Sequence, residues 1–242
     1  MALIEGITPC QQEILDQAVA ARISGTPLQH VTGTAYFRTT SVHVGPGVFI
    51  PRPETEVLAG WAIDKVKHGY DRVVELCAGS GAISRAIVTE ASPSACWAVE
   101  RSEEAYPYLV DNLAGTCVVP VHQDMAQALT DLDGTVDLVV ANPPYVPVGQ
   151  DVPADVQYDP DEALYSGADG LDAIRVVADV AMRLLRPGGV VGCEHGEDHA
   201  RDVQGIFAAV GFDRISTNDD LTNRPRFVTA RKPGSGHAKM EP

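Results

Sequence analysis

A glycine-rich turn connects a short apolar strand to a helix within Val73–Ile83, which has the sequence VVELCAGSGAI. Gly79 and Gly81 allow the backbone to turn tightly and to approach a ligand without a clash from a Cβ atom. The spacing is close to the dinucleotide pattern G-x-G-x-x-G/A, but Ser84 occupies the third position. Glu75 lies inside the strand, where a carboxylate disfavours a pyrophosphate and favours a positively charged group.

Two further acids follow the next strands. Glu100 ends an apolar strand, where a carboxylate can accept hydrogen bonds from ribose hydroxyl groups. Asp124 follows the strand after that, where an acid can meet an adenine amino group while Met125 covers the ring. A ribose alone does not separate NAD from S-adenosylmethionine, but Glu75 favours the positively charged amino acid part of S-adenosylmethionine. The sequence therefore predicts S-adenosylmethionine as cofactor.

A second motif, Asn142-Pro143-Pro144-Tyr145, follows the apolar strand Val136–Ala141. Each proline fixes the backbone and removes an N–H donor, so neighbouring carbonyl groups remain free as acceptors. The Asn142 side-chain oxygen adds an acceptor, and Tyr145 adds an aromatic face. These groups fit a substrate that offers an NH₂ group on a planar amide or base.

The chemistry of such a substrate explains why acceptors are needed. An amide nitrogen is a poor nucleophile because its lone pair is delocalised into the carbonyl group. Two acceptors that hold its hydrogens favour a pyramidal nitrogen and the positive charge that develops during attack. No strong base is required, since an N-alkylated amide cation loses its proton readily. The catalytic candidates are Asn142, Pro143, Pro144 and Tyr145.

Strands and helices alternate from residue 72 onwards. Strands are predicted at 72–76, 95–99, 117–122, 136–141, 190–194, 212–217 and 226–231, and helices at 82–90, 103–113, 171–185 and 198–210. This order predicts an α/β fold with a Rossmann-like, doubly wound sheet of seven strands. No helix separates the last two strands, so we expect them to pair antiparallel. We expect Arg186-Pro187-Gly188-Gly189 to end the preceding helix.

The region before the sheet predicts a short helix at 10–24 and a β-hairpin or two short strands within 36–50, around Gly45-Pro46-Gly47. Pro51-Arg52-Pro53 interrupts regular structure, and a helix is expected over 54–67. We divide the chain into a substrate-facing N-terminal segment at 1–53, a main domain at 54–231 and a disordered tail at 232–242.

Composition restricts the classes of function. The chain has 242 residues, with 18 Lys and Arg against 33 Asp and Glu, and a formal net charge of −15. Affinity for nucleic acids depends mainly on Lys and Arg, so this charge argues against a nucleic acid partner. No apolar run approaches the roughly 20 residues of a membrane helix, and the first residues lack a signal-peptide pattern. Five cysteines without a CxxC spacing suit the cytoplasm and predict no metal site.

These motifs resemble the class I S-adenosylmethionine-dependent methyltransferases, and within them the HemK-type glutamine N(5)-methyltransferases that modify the GGQ loop of peptide chain release factors. The resemblance covers about 22–232, with a shortened N-terminal domain because about one helix precedes the hairpin. Its most specific segments are Phe49–Glu56 (FIPRPETE), Glu75–Ile83 and Asn142–Pro147, with further similarity at 158–171 and 185–194. The region 54–231 is then the methyltransferase domain.

The resemblance implies a division of roles among the candidate residues. The cofactor-binding candidates are Glu75, Ala78, Gly79, Gly81, Glu100, Arg101, Asp124, Met125 and Asn142. Asn142 and the Pro143 carbonyl hold the substrate amide beside Tyr145. The candidates on the substrate side are Arg52, Thr55 and Glu194. We expect His195 and His199 to be exposed residues at a helix start and not metal ligands.

The methyl acceptor stays open between two classes. A protein glutamine is the leading hypothesis, and a small-molecule amide, amine or guanidine, such as a free amino acid or a secondary metabolite, is the alternative. Glu194 or the acids within 151–162 could hold a guanidinium group. Methylation of a nucleic acid amino group is opposed by the net charge and by the Phe49–Glu56 segment. A cofactor-binding subunit without catalysis is opposed by the intact Asn142–Tyr145 motif.

Overall fold

The computed structural model describes residues 6–153 and 156–234. It begins with helices α1 (Pro9–Ile23) and α2 (Leu28–Thr32) and an antiparallel hairpin of β1 (Thr34–Phe37) and β2 (Thr40–His43). A capping box between Thr8 and Gln11 satisfies the first N–H groups of α1. No residue of α1 is buried, so the apolar stripe that predicts this helix does not enter the core.

The position of the hairpin turn differs from the sequence prediction. Phe37 pairs with Thr40, so the chain reverses at Arg38 and Thr39 and not around Gly45-Pro46-Gly47. Arg38 adopts a left-handed φ of 51°, which a non-glycine residue holds only when its surroundings compensate. The Arg38 guanidinium donates to Glu90 at 2.7 and 2.9 Å, and its backbone N–H donates to Glu56 at 3.1 Å. These long-range contacts fix the turn, and no local pattern indicates them.

The remaining chain alternates helices and strands. The elements are α3 (Thr55–Lys67), β3 (Arg72–Leu76), α4 (Ala82–Glu90), β4 (Ala95–Glu100), α5 (Tyr106–Leu113), β5 (Val118–His122), β6 (Val136–Ala141), α6 (Asp161–Leu164), α7 (Asp172–Leu184), β7 (Leu185–Glu194), α8 (Ala200–Val210), β8 (Asp213–Asp219) and β9 (Pro225–Arg231). Short 3₁₀ turns occur at Thr130–Leu132, Val156–Tyr158 and Glu197–His199. Among the described residues, no helix is long and apolar enough to cross a membrane.

Seven of these strands form one sheet in the order β5-β4-β3-β6-β7-β9-β8. The five strands from β5 to β7 run parallel, and β9 is antiparallel to both β7 and β8. The predicted doubly wound α/β sheet with antiparallel last strands is therefore confirmed. Starting from β3, the chain first adds β4 and β5 on one side and then adds β6 and β7 on the other side. Doubly wound sheets bind ligands at the carboxyl edge, next to the strand where this direction changes.

Residues Arg186-Pro187-Gly188-Gly189 belong to β7 and do not form a separate helix-ending turn. Helix α7 already ends at Leu184, and the strand starts five residues before the predicted Val190. The Gly188 N–H donates to the Lys232 carbonyl, and the Lys232 N–H donates to Gly189, both at 2.9 Å. Pairing with the chain beyond β9 thus extends the strand through residues that locally favour a turn.

The sheet separates two apolar layers, and alternation along β3 shows why. Val73 packs with α3, α4, α5 and the hairpin, whereas Val74 and Leu76 pack with α7 and α8 on the opposite face. Because side chains alternate along a strand, Glu75 shares the face of Val73 and lies under the start of α4. Glu75, the first candidate site residue, is therefore surrounded by the side chains of this face.

Candidate active site

A cavity of about 830 Å³ lies at the carboxyl edge of the parallel strands. The residues that follow β3, β4, β5 and β6 all line it, because parallel strands end at the same edge of the sheet. The predicted site residues that line this cavity are Arg52, Thr55, Glu75, Ala78, Gly79, Glu100, Arg101, Asp124, Met125, Asn142, Pro143, Pro144 and Tyr145. Gly81 and Glu194 do not line it.

The glycine turn after β3 adopts the backbone geometry that its sequence requires. Gly79 and Gly81 have φ angles of 53° and 78°. A Cβ at Gly79 would meet no atom within 4 Å, whereas a Cβ at Gly81 would lie 2.7 Å from the Leu109 side chain. Gly79 therefore leaves space for a ligand at the cavity wall, and Gly81 permits close packing of the turn against α5.

Glu75 is buried at the base of the turn, with an exposed fraction of 1%. Its Oε2 accepts the backbone N–H of Ser84 at 2.9 Å, in the first turn of α4. Burial raises the pKa of Glu75 to about 8, against the opposite effect of its hydrogen bonds with Ser84. A cationic group in the cavity would favour the ionised carboxylate, since an opposite charge nearby lowers the pKa of an acid.

Glu100 connects the end of β4 to the glycine turn. Its Oε2 accepts the Gly79 N–H at 2.7 Å, and its Oε1 accepts the N–H groups of Arg101 and Ser102 at 2.7 and 2.8 Å. A carboxylate offers about four lone-pair positions, so roughly one remains for a hydroxyl group of a ligand. Glu100 thus fixes the turn in addition to any ligand contact.

Arg101, Asp124 and Met125 are three further residues predicted to bind the cofactor. Asp124 is exposed, and its Oδ1 accepts the Ala126 N–H at 2.8 Å within its own loop. Met125 is half-buried, and its sulfur lies 3.5 Å from the Cys77 sulfur beneath the turn. The acid can bind the polar edge of a purine ring, and the apolar side chain can pack against the face of the ring.

The Asn142–Tyr145 segment forms the opposite wall of the cavity. The Asn142 Nδ2 donates to the Thr55 hydroxyl at 3.3 Å, so helix α3 orients this amide. The Tyr145 hydroxyl donates to Glu194 Oε1 at 3.3 Å, and burial raises its pKa. Asn142 Oδ1 and the carbonyl groups of the proline pair are the acceptors on this wall.

Glu194, predicted on the substrate side, lies behind this wall. It is 1% exposed at the end of β7 and does not line the cavity, whereas Tyr145, which donates to it, does. Burial raises the pKa of Glu194 to about 7, against the lowering effects of the Thr55 hydroxyl and the Arg226 guanidinium. Arg226 itself is 9% exposed, lines the cavity and lies 3.6 Å from Asp220.

Two further residues belong to the surroundings of the site: Arg226, which lines the cavity, and Asp159, one of the acids considered within 151–162. The Asp159 carboxylate pairs with the Arg52 guanidinium and accepts the Ile50 N–H at 3.0 Å. This contact secures the Pro51–Pro53 segment against the loop before α6. The sequence signal for Asp159 is its place in the family-like segment 158–171, whereas an arginine inside a predicted strand gives no signal for Arg226.

The two histidines after β7 are less exposed than expected, and only His199 lies at a helix start, directly before α8. His195 is completely buried, and burial lowers its pKa. Its N–H donates to the Arg226 carbonyl at 2.9 Å, which continues the pairing of β7 with β9 by one residue. His199 is half-buried in the 3₁₀ turn Glu197–His199. The pairing of the strand end with β9 places His195 in the interior despite the polarity of its side chain.

Several known proteins are similar to this chain over most of its length. No family model matches the chain. It is 49% identical over 224 residues to the release factor glutamine methyltransferase of Streptomyces coelicolor, covering 89% of this chain and 79% of that protein. It is 39% identical over 224 residues to the protein of the same name from Mycobacterium tuberculosis strain H37Rv, covering 89% and 74%.

A further relative is named for a different substrate. The chain is 37% identical over 228 residues to the 4-amino-L-phenylalanine/4-methylamino-L-phenylalanine methyltransferase of Streptomyces pristinaespiralis, covering 89% of this chain and 78% of that protein.

Solved structures show the same fold. The hMettl16 catalytic domain in complex with a 3'UTR hairpin superposes with a TM-score of 0.63 at 13% identity, covering 83% of this chain and 77% of that one. A T. thermophilus 16S rRNA N2 methyltransferase in complex with AdoMet and guanosine gives 0.59 at 22% identity, covering 82% and 49%. The chain, a methyltransferase, belongs to the release factor glutamine methyltransferase family.

Proposed function

We propose that this methyltransferase uses S-adenosylmethionine to methylate the side-chain amide nitrogen of a protein glutamine, in the GGQ loop of a peptide chain release factor. One observation carries the proposal. The Asn142 amide donates to Thr55 at one end, so its oxygen remains as an acceptor in the cavity that also contains the glycine turn. The relatives at 39–49% identity, which are named release factor glutamine methyltransferases, support the same acceptor.

The residues of the glycine-turn side fit S-adenosylmethionine. Buried Glu75 suits the positively charged amino acid part, and the open space at Gly79 admits it. Glu100 retains a lone pair for a ribose hydroxyl, and Asp124 with Met125 suits adenine. When bound, the cofactor supplies an electrophilic methyl group.

Asn142 and the Pro143 carbonyl hold the two hydrogens of the acceptor amide in this proposal. Neither proline carries an N–H, so the segment presents acceptors to the amide without competing donors. This grip favours the pyramidal nitrogen and its developing positive charge, and it aligns the lone pair with the methyl group. Tyr145 flanks the planar amide, and the proton is lost after transfer because the alkylated amide cation is strongly acidic.

The N-terminal segment 1–53 supplies the substrate-facing side in this proposal, and 54–231 is the catalytic domain. Phe49, Pro51 and Arg52 line the cavity from that side, which supports the assignment. The proposed tail at 232–242 starts one residue too early, because Lys232 pairs with Gly188 and Gly189, and its residues beyond 234 lie outside the described residues. Five unpaired cysteines support a cytoplasmic location, where a release factor acts.

A second candidate is the same transfer to a small molecule that carries an amine or amide. The 37% identical relative named for 4-amino-L-phenylalanine and its methylamino form favours this alternative. A cavity of about 830 Å³ is large enough for an amino acid beside a nucleoside cofactor. An aromatic amine would use the same Asn142 acceptor, since it also offers N–H groups.

A competition assay separates the two acceptors. Purified enzyme is incubated with methyl-labelled S-adenosylmethionine, purified release factor and a panel of free amino acids that includes 4-amino-L-phenylalanine. We expect label on the release-factor glutamine, located by mass spectrometry of the GGQ peptide, and no label with an Asn142→Ala control. Label confined to the small-molecule fraction would contradict the glutamine assignment and support the second candidate.

A further inference from the structure

Arg226, near the start of β9, is a buried cation in the wall of the cavity. It is 9% exposed, and it lines the cavity together with Tyr145. Its backbone carbonyl accepts the His195 N–H at 2.9 Å, so strand pairing fixes Arg226 beside the end of β7. A charge in such a place needs polar partners, because burying an unpaired charge is costly.

The guanidinium of Arg226 has more hydrogen-bond donors than the surrounding protein satisfies. Its ion pair is with Asp220 Oδ2 at 3.6 Å, a distance longer than a hydrogen bond. The Arg226 Nε is buried and has no hydrogen-bond partner among the described residues. A guanidinium offers several N–H donors and no acceptor, so an oxygen atom of a ligand would complete its hydrogen bonding.

Asp220 holds the turn that carries this arginine. Its Oδ1 accepts the N–H groups of Thr222 and Arg224 at 2.7 and 3.2 Å, and the Thr222 hydroxyl at 2.6 Å. These bonds close the turn between β8 and β9 and use one carboxylate oxygen, while the other faces Arg226. The turn therefore positions the guanidinium without saturating its donors.

The order of the strands places Arg226 away from the reacting nitrogen. Asn142 follows β6, and β7 lies between β6 and β9. Neighbouring strands are about 4.8 Å apart, so roughly 10 Å separate the end of β6 from the start of β9. Tyr145 extends across part of this gap, since its hydroxyl donates to Glu194 at the end of β7 at 3.3 Å. Arg226 thus lies beyond the side chain that flanks the acceptor amide.

This separation agrees with the chemistry of the transfer. A donor on the oxygen of the acceptor amide would strengthen delocalisation of the nitrogen lone pair, which the transfer has to weaken. A cation is therefore unsuited to the reacting amide itself. It is suited to an oxygen further along the acceptor.

We propose that Arg226 is a specificity-determining residue that binds an oxygen of the methyl acceptor, about one side-chain length from the methylated nitrogen. The inference rests on the proposed function, in which this oxygen is the main-chain carbonyl of the segment that presents the glutamine. The α-carboxylate of a free amino acid offers the same chemistry. In both cases Arg226 holds the body of the acceptor and leaves the reacting nitrogen to Asn142.

Steady-state kinetics of Arg226→Met test this role. The variant keeps a long side chain but loses every donor, so KM for release factor should rise roughly 10-fold or more, as expected for one hydrogen bond to a charged group. The kcat should stay within about 3-fold, because a contact made equally before and during transfer affects KM alone. Arg201→Met, at an exposed arginine of α8, makes the same charge change and should leave KM unchanged.

Two measurements separate binding from a structural effect. S-adenosylmethionine affinity should be equal in the wild type and Arg226→Met, whereas a general disturbance of the cavity would lower it. In a nitrogen-15 NMR titration without cofactor, the wild-type Arg226 Nε–H resonance should shift when release factor is added. Arg226→Lys keeps the charge that faces Asp220 and assigns this resonance by its absence. The titration needs neither turnover nor a folded Arg226→Met protein.

An unchanged KM in folded Arg226→Met, or an Arg226 resonance that does not respond to release factor while the enzyme methylates it, would overturn the proposal. An enzyme that methylates only 4-amino-L-phenylalanine would instead overturn the glutamine assignment. Arg226→Met should then raise KM for that amine but not for 4-(2-aminoethyl)aniline, which lacks the carboxylate. Equal effects on the two amines would overturn the role of Arg226, so the two failures are distinguishable.

Discussion

Replacement of Glu100 by alanine separates its structural contribution from its proposed contact with the cofactor. The Glu100 carboxylate accepts three backbone N–H bonds, from Gly79 at 2.7 Å, Arg101 at 2.7 Å and Ser102 at 2.8 Å. Alanine offers no acceptor, so all three donors lose their partner. The glycine turn then loses its link to the end of β4 even when no ligand is bound.

The expected loss follows from these three bonds. A donor left without its partner costs about 1–3 kcal/mol when it is buried. Glu100 lies at the cavity wall, where water can replace part of the lost acceptor, so we take the lower limit of about 1 kcal/mol for each donor. The free energy of unfolding should decrease by roughly 3 kcal/mol, which for a chain of this size lowers the Tm by roughly 6–12 °C.

Thermal unfolding followed by circular dichroism, without ligand, measures this loss. Asp124→Ala is the matched control, because that exposed carboxylate accepts one N–H, from Ala126, within its own loop. Its Tm should change by less than about 3 °C. Calorimetric titration should show weaker S-adenosylmethionine binding in both variants. A Glu100→Ala protein that unfolds within about 2 °C of the wild type would refute the role assigned to the three bonds.

Two further predictions concern the glycine turn. Burial raises the pKa of Glu75 from 4.5 to about 8, so the native state binds a proton more tightly than the unfolded state does, and the stability from this proton is lost as the pH rises from about 4.5 through 8. Without ligand, the Tm should therefore decrease more between pH 5 and pH 8 for the wild type than for Glu75→Gln. Equal decreases in Tm for the two proteins would contradict this. Gly81→Ala should lower the Tm more than Gly79→Ala, because only the former places a Cβ 2.7 Å from Leu109, and equal shifts would count against the packing role.

The fold and most of the site follow from local patterns. The strand over 136–141 and the helix over 82–90 agree with prediction because continuous apolar runs and amphipathic periodicity are local properties. The acids at or after the ends of β3, β4 and β5 reach one cavity because topology alone brings strand ends together. No pairwise contact has to be known to place them there.

The remaining differences come from tertiary contacts. The hairpin turns at Arg38 because Glu56 and Glu90 hold a left-handed residue there, and neither acid is near in sequence. Residues 186–189 join β7 because Lys232 pairs with them. The sequence predicts Glu194 on the substrate side, yet it is buried and does not line the cavity, because a strand end does not indicate which side chains lie in front of it. Such contacts are visible only in three dimensions.

The most direct test of the central claim is a single-turnover comparison of wild type and Asn142→Ala on release factor. Each enzyme is saturated with labelled S-adenosylmethionine, mixed with a limiting amount of release factor and quenched over time, so that neither cofactor binding nor product release limits the rate. We expect equal cofactor affinity, and a rate of glutamine methylation at least ~100-fold lower for Asn142→Ala, which corresponds to roughly 3 kcal/mol of barrier. Comparable rates for the two proteins would contradict the claim that Asn142 holds the acceptor amide.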